Sequence, residues 1–438
     1  MTRSLANRMK DDQFAGYAYA YPHKTSYRRL DPPVRLADAW RSEDKDALFL
    51  YVHLPFCEMR CGFCNLFTTA QPNKHFVSQT LDAIDRQAHV IADEVMPQRI
   101  SKIAFGGGTP SFLSVDELES LLRGISAAWP LDWSSLQASF EVSPATINTE
   151  KLSLLKSHCV DRISMGVQSF SANDLRSLGR SQKDRDVETA IAAIQDTDFP
   201  VFNIDLIYGA QGQTEANWTQ TVQRAIAIAP DEIYLYPLYV REATGLGLTG
   251  KSPTARRRGL FLIARDALIS AGYRQHSMRH FCRHTIESTT DYCCQEDGMI
   301  GLGPGARSYT RSLHYSSEYA VGQTGVKRII ADFNSRYDEA FAVADYGVRL
   351  DAEEQRRRYL IKSLLRAQGL QLTAYRTRFA TEVEEDFPQL AELMQLGLGM
   401  CNHQTLRLTP EGLSWSDVIG PWLYSSEVTS RMETFELV

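Results

Sequence analysis

Six short apolar segments recur between Leu48 and Val240: "LFLYVHL", "SKIAFGG", "LQASFEV", "DRISMGVQ", "FPVFNIDLIYG" and "DEIYLYPLYV". Between them run stretches such as "VSQTLDAIDRQAHVIADEV", "SVDELESLLRGISAAW" and "TEANWTQTVQRAIAIA", whose apolar residues return every three or four positions. Strands that alternate with helices need crossover connections, which argues for parallel βα units in one sheet. Six such units fit an open or partial barrel rather than a closed eightfold one. In folds of this kind chemistry gathers at the C-terminal ends of the strands. The notable residues fall there: a cysteine loop after the first strand, a triglycine after the second, and Glu141, Gln168 and Asp205 in or at the ends of the next three.

The cysteine loop reads "YVHLPFCEMRCGFCNLFTT" and holds Cys57, Cys61 and Cys64, spaced C-x3-C-x2-C. A closed structural zinc site takes four protein ligands, commonly as two cysteine pairs. No second pair lies nearby, so zinc would need His53 or a distant cysteine as its fourth ligand. An ordinary ferredoxin-type cubane also uses four thiolates. Three thiolates leave one iron open, and an open iron on a reducing cluster can bind and cleave a small molecule, as enzymes that make radicals from S-adenosylmethionine require. A buried thiol cluster without function is the plain alternative. In a large chain of this composition, clustered thiols point to metal or chemistry before disulfides.

Composition bounds the partners. At 438 residues, 43% hydrophobic and 23% charged, the chain buries a large core and has room for two or three structural units. Its formal net charge of −6 supports no electrostatic case for nucleic acid or membrane. No run reaches the roughly 18 apolar residues of a membrane span, and "MTRSLANRMKDDQ" lacks a secretory apolar core. The expectation is a cytoplasmic protein with small molecules or proteins as partners, and neither nucleic acid nor membrane among them.

The cysteine loop, with Phe63 just before the last thiol, resembles that of the radical S-adenosylmethionine superfamily. More narrowly, "YVHLPFC", "GGGTPSFL", "RISMGVQSF" and "NIDLIYG" are similar, in order and spacing, to the oxygen-independent coproporphyrinogen III oxidase-like branch. The likeness runs from about Tyr17 to Tyr424 and is strongest between Phe49 and Gly209. It implies an α/β fold: a partial (β/α)6 TIM-like barrel with an N-terminal arm and a small C-terminal helical, winged-helix-like domain. The expected division is an arm over 1–47, the barrel over 48–245, an extension completing the substrate side over 246–345, and the C-terminal domain over 346–438.

The resemblance also implies cofactors and roles. Cys57, Cys61 and Cys64 hold three irons of a [4Fe-4S] cluster, and S-adenosylmethionine, one molecule or two, chelates the fourth. Reductive cleavage then yields a 5′-deoxyadenosyl radical that abstracts hydrogen from a substrate. Gly106, Gly107 and Gly108 let backbone approach the cofactor closely, and Thr109 and Pro110 fix the exit of that turn. Glu141, an acid in an apolar strand, is costly unless it lies at the strand's open end or meets a cation, and the resemblance supplies a sulfonium and an ammonium. Gln168 and Asp205 suit ribose hydroxyls, and Arg180 suits the methionine carboxylate. Tyr51 matches a tyrosine beside the cluster and cofactor, which makes it both a cofactor contact and a catalytic candidate. A reductant such as flavodoxin or ferredoxin completes the scheme, and oxidation or methyl transfer on a tetrapyrrole or other complex metabolite is the expected chemistry.

Departures narrow the choice. Oxidases of the branch tend to carry a further cysteine two residues after the third, where this chain has Leu66. Its haem-handling members tend to carry an "HNxxYW"-like segment, whereas the equivalent stretch here reads "DYCCQEDGMIGLGPGARSYT", with Arg307 where histidine is frequent; separately, "YGAQGQT" has Gln211 where the family usually has proline. A non-catalytic haem-handling protein of the same fold is nevertheless the alternative reading. The adjacent Cys293 and Cys294 are candidate hydrogen donors, against a plain loop role. His276, His280 and His284 repeat every four residues, but Tyr273 and Phe281 read as a strand edge, which disfavours a metal helix. The tyrosine-rich basic arm "GYAYAYPHKTSYRRLDPP" either closes over an anionic ligand or packs along the domain.

Overall fold

The structure, a computed structural model, describes residues 3–11, 13–283 and 298–436. The chain forms two compact units, one of Arg28–Ala264 with Ile286–Arg349, the other of Met1–Tyr27, Arg265–Thr285 and Leu350–Phe435.

The larger unit is built on six parallel strands: β1 (Leu48–Leu54), β2 (Ile100–Gly107), β3 (Gln137–Val142), β4 (Arg162–Gln168), β5 (Val201–Tyr208) and β6 (Glu232–Pro237). Each pairs in parallel with the next. The crossovers carry helices α1 (Lys74–Val95), α2 (Val115–Ala128), α3 (Thr149–Ser157), α4 (Asp184–Thr197) and α5 (Glu215–Ile228). This is the expected partial (β/α)6 barrel. On the other side of β1, Met299–Leu302 joins in parallel, and Arg307–Tyr309, Leu313–Ser316, Val343–Arg349 and Arg28–Arg35 extend the sheet antiparallel.

Local chemistry sets the element ends. Asn73 accepts a hydrogen bond from the Phe76 amide at the start of α1, Ser114 and Glu117 form a reciprocal capping box on α2, and Thr214 caps α5. Along α1 the buried residues Val77, Thr80, Ile84, Ala88, Ile91 and Val95 keep helical spacing and face the sheet. Along the strands the side chains alternate. Leu50, Val52, Ile103, Phe105, Phe140, Ile163, Met165, Ile204 and Leu206 fill the core under the helices, all less than a tenth exposed. The opposite parity holds Tyr51, His53, Glu141, Ser164, Asn203, Asp205 and Tyr234, so the inner face of the barrel is polar. Register brings these together: His53 lies opposite Gly106, Glu141 opposite Ser164, and Asp205 between Gly166 and Tyr234.

The smaller unit combines helices, among them Ala352–Leu364, Leu372–Phe379 and Ser416–Trp422, with a three-stranded antiparallel sheet of Leu370–Gln371, Thr405–Leu408 and Gly399–Cys401. Its core joins Leu360, Leu364, Tyr375, Leu393 and Leu406 to Leu5 and Tyr21 from the N-terminal arm. Arm residues through Tyr27 therefore pack in this unit, while Arg28–Arg35 is a strand of the larger one. Here too Arg274–Gln275 pairs antiparallel with His280–Cys282, which places His276 and His280 on a hairpin rather than a helix. Their rings lie 5.4 Å apart. His284 lies outside the described residues. Among the described residues no helix is long and apolar enough to cross a membrane.

Candidate functional site

The three cysteines sit on the loop that leaves β1. Cys57 ends the two-residue strand Phe56–Cys57, which pairs in parallel with Thr69–Ala70 and so pins both ends of the loop. Cys57 is buried and Cys61 and Cys64 are half-buried. Burial pushes the Cys57 thiol up to about 12, a hydrogen bond from Thr109 opposes this, and the nearby Cys64 and Cys61 add to the rise. Burial likewise raises Cys64, with Cys61 adding to it. The loop is held from outside as well: the Gly62 amide donates to the Gly179 carbonyl (3.1 Å) and the Leu246 amide donates to the Gly62 carbonyl (2.8 Å). A Cβ on Gly62 would stand 2.9 Å from the Leu178 carbonyl oxygen, so this contact needs glycine.

The triglycine turn meets this loop at the end of β2. The Gly108 amide donates to the Leu54 carbonyl (2.8 Å) and the Thr109 amide to the Phe56 carbonyl (2.7 Å). The Thr109 hydroxyl lies 3.6 Å from the Cys57 sulfur. Gly107 has φ +110°, and a Cβ there would stand 2.6 Å from the His53 ring. A Cβ on Gly106 would stand 2.9 Å from both the Glu141 carboxyl and the Tyr51 hydroxyl, so these two groups converge over a bare backbone. The Gly107 amide donates to Glu141 (3.3 Å).

Arg180 ties the cysteine loop to β4. One terminal nitrogen lies 3.3 Å from the Cys61 sulfur, the other donates to the Gly166 carbonyl (2.6 Å), and Nε donates to Gln182 (2.8 Å). The register shifts between Gly166 and Gln168, and Gln168 adopts φ +68°. Its side-chain amide lies 2.6 Å from where a Cβ on Gly166 would be, so the amide folds back over that glycine.

Inside the barrel, Glu141 and Asp205 are two carboxyls raised by burial. Burial raises Glu141 to about 7, and the charge of Asp205 adds to it. Burial raises Asp205 to about 6, against the opposing hydrogen bond from Asn203. The Asn203 amide donates to Asp205 and to the Ser164 hydroxyl, both at 2.8 Å, and its own carbonyl oxygen has no hydrogen-bond partner among the described residues. Below them Arg162 donates to Glu232 (2.8 Å) and to Ser139 (3.2 Å), forming a buried charged floor.

Residues 51–225 match the family model of the radical SAM superfamily, and residues 350–415 match that of the HemN C-terminal domain. The chain thus carries a radical SAM domain followed by a HemN C-terminal domain. The heme chaperone HemW of Bacillus subtilis is 26% identical over 393 residues, covering 85% of this chain and 98% of that protein. The oxygen-independent coproporphyrinogen III oxidase of Salmonella typhimurium is 26% identical over 432 residues, covering 90% and 91%. The fold matches that of the solved coproporphyrinogen III oxidase HemN of Escherichia coli with a TM-score of 0.78, over 91% of this chain and 96% of that one, at 22% identity. A radical SAM domain implies a [4Fe-4S] cluster and S-adenosylmethionine as cofactors.

Cys57, Cys61, Cys64, Tyr51, Gly106, Gly107, Gly108, Thr109, Glu141, Gln168, Arg180 and Asp205 thus lie at or near one end of the radical SAM barrel. Cys293 and Cys294 lie outside the described residues. Ser164, Asn203, Arg162 and Glu232 are inner-face residues that motif reading passed over. Their signal was present as parity: "RIS" and "NID" put polar residues at alternate places in apolar strands, in phase with Asp205.

Proposed function

We propose that the chain is a radical S-adenosylmethionine enzyme that modifies a tetrapyrrole or another complex metabolite, with Cys57, Cys61 and Cys64 as ligands of its [4Fe-4S] cluster. The observation that carries this reading is the meeting of the three-thiol loop with the glycine turn through Thr109 and with β4 through Arg180. The donor set fits the cluster. The three sulfurs share one loop; burial raises Cys57 and Cys64, which stay protonated as free thiols, and a bound metal is what favours their thiolate form.

When bound, the cluster and S-adenosylmethionine together supply hydrogen-atom abstraction from an unactivated carbon. The chain's own residues bind and orient. Glu141 and Asp205 offer carboxylates to ammonium or ribose groups, Gln168 offers an amide, and Arg180 offers a guanidinium to a carboxylate while bracing Cys61. Bare backbone at Gly106, Gly107 and Gly108 leaves room for the cofactor, beside the Tyr51 hydroxyl. Cys293 and Cys294 remain candidate hydrogen donors. One S-adenosylmethionine supports oxidation or decarboxylation, and a second supports methyl transfer. The reading takes the protein to act in the cytoplasm, with flavodoxin or ferredoxin as reductant.

The test is anaerobic. After cluster assembly, reductant and S-adenosylmethionine are added, and 5′-deoxyadenosine and S-adenosylhomocysteine are quantified. Deoxyadenosine alone points to oxidation or rearrangement, and both products point to methyl transfer. Cys57→Ala, Cys61→Ala and Cys64→Ala should each abolish cofactor cleavage, and turnover that survives without a cluster would remove the reading.

The similarity to HemW over nearly that protein's whole length favours a second reading, a haem-handling protein of the same fold. It expects stoichiometric haem uptake that survives replacement of the three loop cysteines. A spectral titration showing no uptake removes it.

A further inference from the structure

Residues 241–258, "REATGLGLTGKSPTARRR", follow β6 and carry five basic residues, Arg241, Lys251, Arg256, Arg257 and Arg258, against one acidic residue, Glu242. Their charge opposes that of the whole chain, which is −6. The segment rests on the cysteine loop. Besides the Leu246–Gly62 hydrogen bond, a Cβ on Gly245 would stand 3.2 Å from the Gly62 Cα. Phe63 packs with Leu178, Val240 and Leu246 in one apolar cluster beneath. Gly62 and Phe63 lie between Cys61 and Cys64, so the basic segment touches the stretch that joins two of the three thiols.

The segment also has a fixed shape. The Thr244 hydroxyl donates to the Arg241 carbonyl (2.7 Å) and accepts from the Gly247 amide (3.2 Å). Gly247 lies so close to that carbonyl that a Cβ would stand 2.1 Å from its oxygen. From this turn Leu248 projects with 78% of its surface exposed, and Arg241 and Arg256 are exposed on the same segment. An exposed apolar side chain on a rigid turn with a basic surround is the composition of a transient protein contact: charge steers the encounter and a small desolvated centre holds it briefly.

We propose that residues 241–256, centred on Leu248, are the docking surface for an acidic one-electron carrier protein that reduces the cluster. The proposal rests on the cluster reading above. A cluster on this loop must receive its electron from outside the chain, and the loop surface beside Gly62 is covered by this segment. The carrier loses one electron, the cluster gains it, and no proton crosses the interface. A net charge of −6 alone would repel an acidic partner at long range, so local reversal of sign is what selects this face.

The experiment uses the full chain with its cluster assembled, and reduced flavodoxin as probe. Cluster bleaching is followed by stopped flow for the wild type, for Arg241→Glu/Lys251→Glu/Arg256→Glu, and for Leu248→Ala. A small reductant, titanium(III) citrate, is run in parallel. At low salt the triple variant should be reduced by flavodoxin at least roughly tenfold more slowly and lose most of its salt dependence, while the titanium rate stays the same. Leu248→Ala should weaken flavodoxin binding and keep the salt dependence. Wild-type rates in the triple variant, or a salt-independent wild type, would overturn the proposal. If no cluster assembles, the cluster reading fails by itself, and titration of flavodoxin onto the cluster-free wild type and triple variant still decides the docking surface: equal affinities refute it. Preferential retention of a nucleic acid on the same patch would refute the partner class.

Discussion

Glu141 and Asp205 show how the barrel interior turns residue chemistry into pH dependence. Both carboxyls are raised by burial, Glu141 to about 7 and Asp205 to about 6, and the charge of Asp205 adds to the rise at Glu141. A carboxyl whose folded value lies above its unfolded one stabilises the fold while protonated. Its contribution is full below about pH 4 and lost as pH rises through the folded values. The cofactor-free protein should therefore lose melting temperature between pH 5 and 8, and Glu141→Gln should flatten that loss. Thermal melts across the window check this, and parallel slopes for the two proteins would count against it. A cationic ligand prefers the ionised pair, so the affinity for S-adenosylmethionine should rise over the same window, as equilibrium dialysis would read. Part of this site was legible from residue types alone. The glycine turn was, because Gly107 at φ +110° and Gly106 against a carboxyl tolerate no side chain. Arg162 was not, because an arginine at the start of a strand reads as surface until register sets it beside Glu232.

At the scale of elements, the six strands and the helices between them follow the apolar periodicity to within a residue or two at most ends. They do so because each element's core face is a local pattern, legible without its partner. Two features lie beyond such patterns, although the strand edge at Tyr273 and Phe281 was itself legible. The shift at Gln168 depends on how β4 meets β5, and the hairpin carrying His276 and His280 depends on pairing between its two arms; neither is encoded in the spacing of one segment. The pair Arg162–Glu232 belongs to the same class, linking β4 to β6 from under β5 at 2.8 Å, with side chains 10% and 5% exposed. Removing one partner strands a buried charge. Arg162→Met should cost about 3–5 kcal/mol in urea denaturation, and Arg162→Met/Glu232→Leu distinctly less, since an apolar pair carries no orphaned charge. Equal losses in the single and double variants would mean that packing, and not charge pairing, sets the cost.

At the scale of the molecule, the smaller unit is assembled from three stretches far apart in sequence, a property that no local pattern announces. One buried contact touches all three stretches. Arg279 places a terminal nitrogen 2.8 and 2.7 Å from the two carboxyl oxygens of Asp417, with side chains 5% and 1% exposed, and its guanidinium lies 3.7 Å from the centre of the Tyr17 ring. One arginine thereby joins the arm, the 265–285 stretch and the helix Ser416–Trp422. Tyr21 repeats the logic, donating to Glu354 and accepting from the Ser425 amide. Arg279→Met leaves the Asp417 carboxylate buried without its cation, which costs about 3–5 kcal/mol. That cost falls on the smaller unit, so limited proteolysis read by mass spectrometry should show cuts between residues 352 and 433 appearing before cuts in the β1–β6 barrel. Arg279→Met/Asp417→Leu should restore part of the protection, because it removes the stranded charge and leaves only the lost aromatic contact with Tyr17. Protection unchanged in the single variant would mean that the shared apolar core of Leu5, Tyr21 and Leu360, and not this ion pair, is what holds the three stretches together.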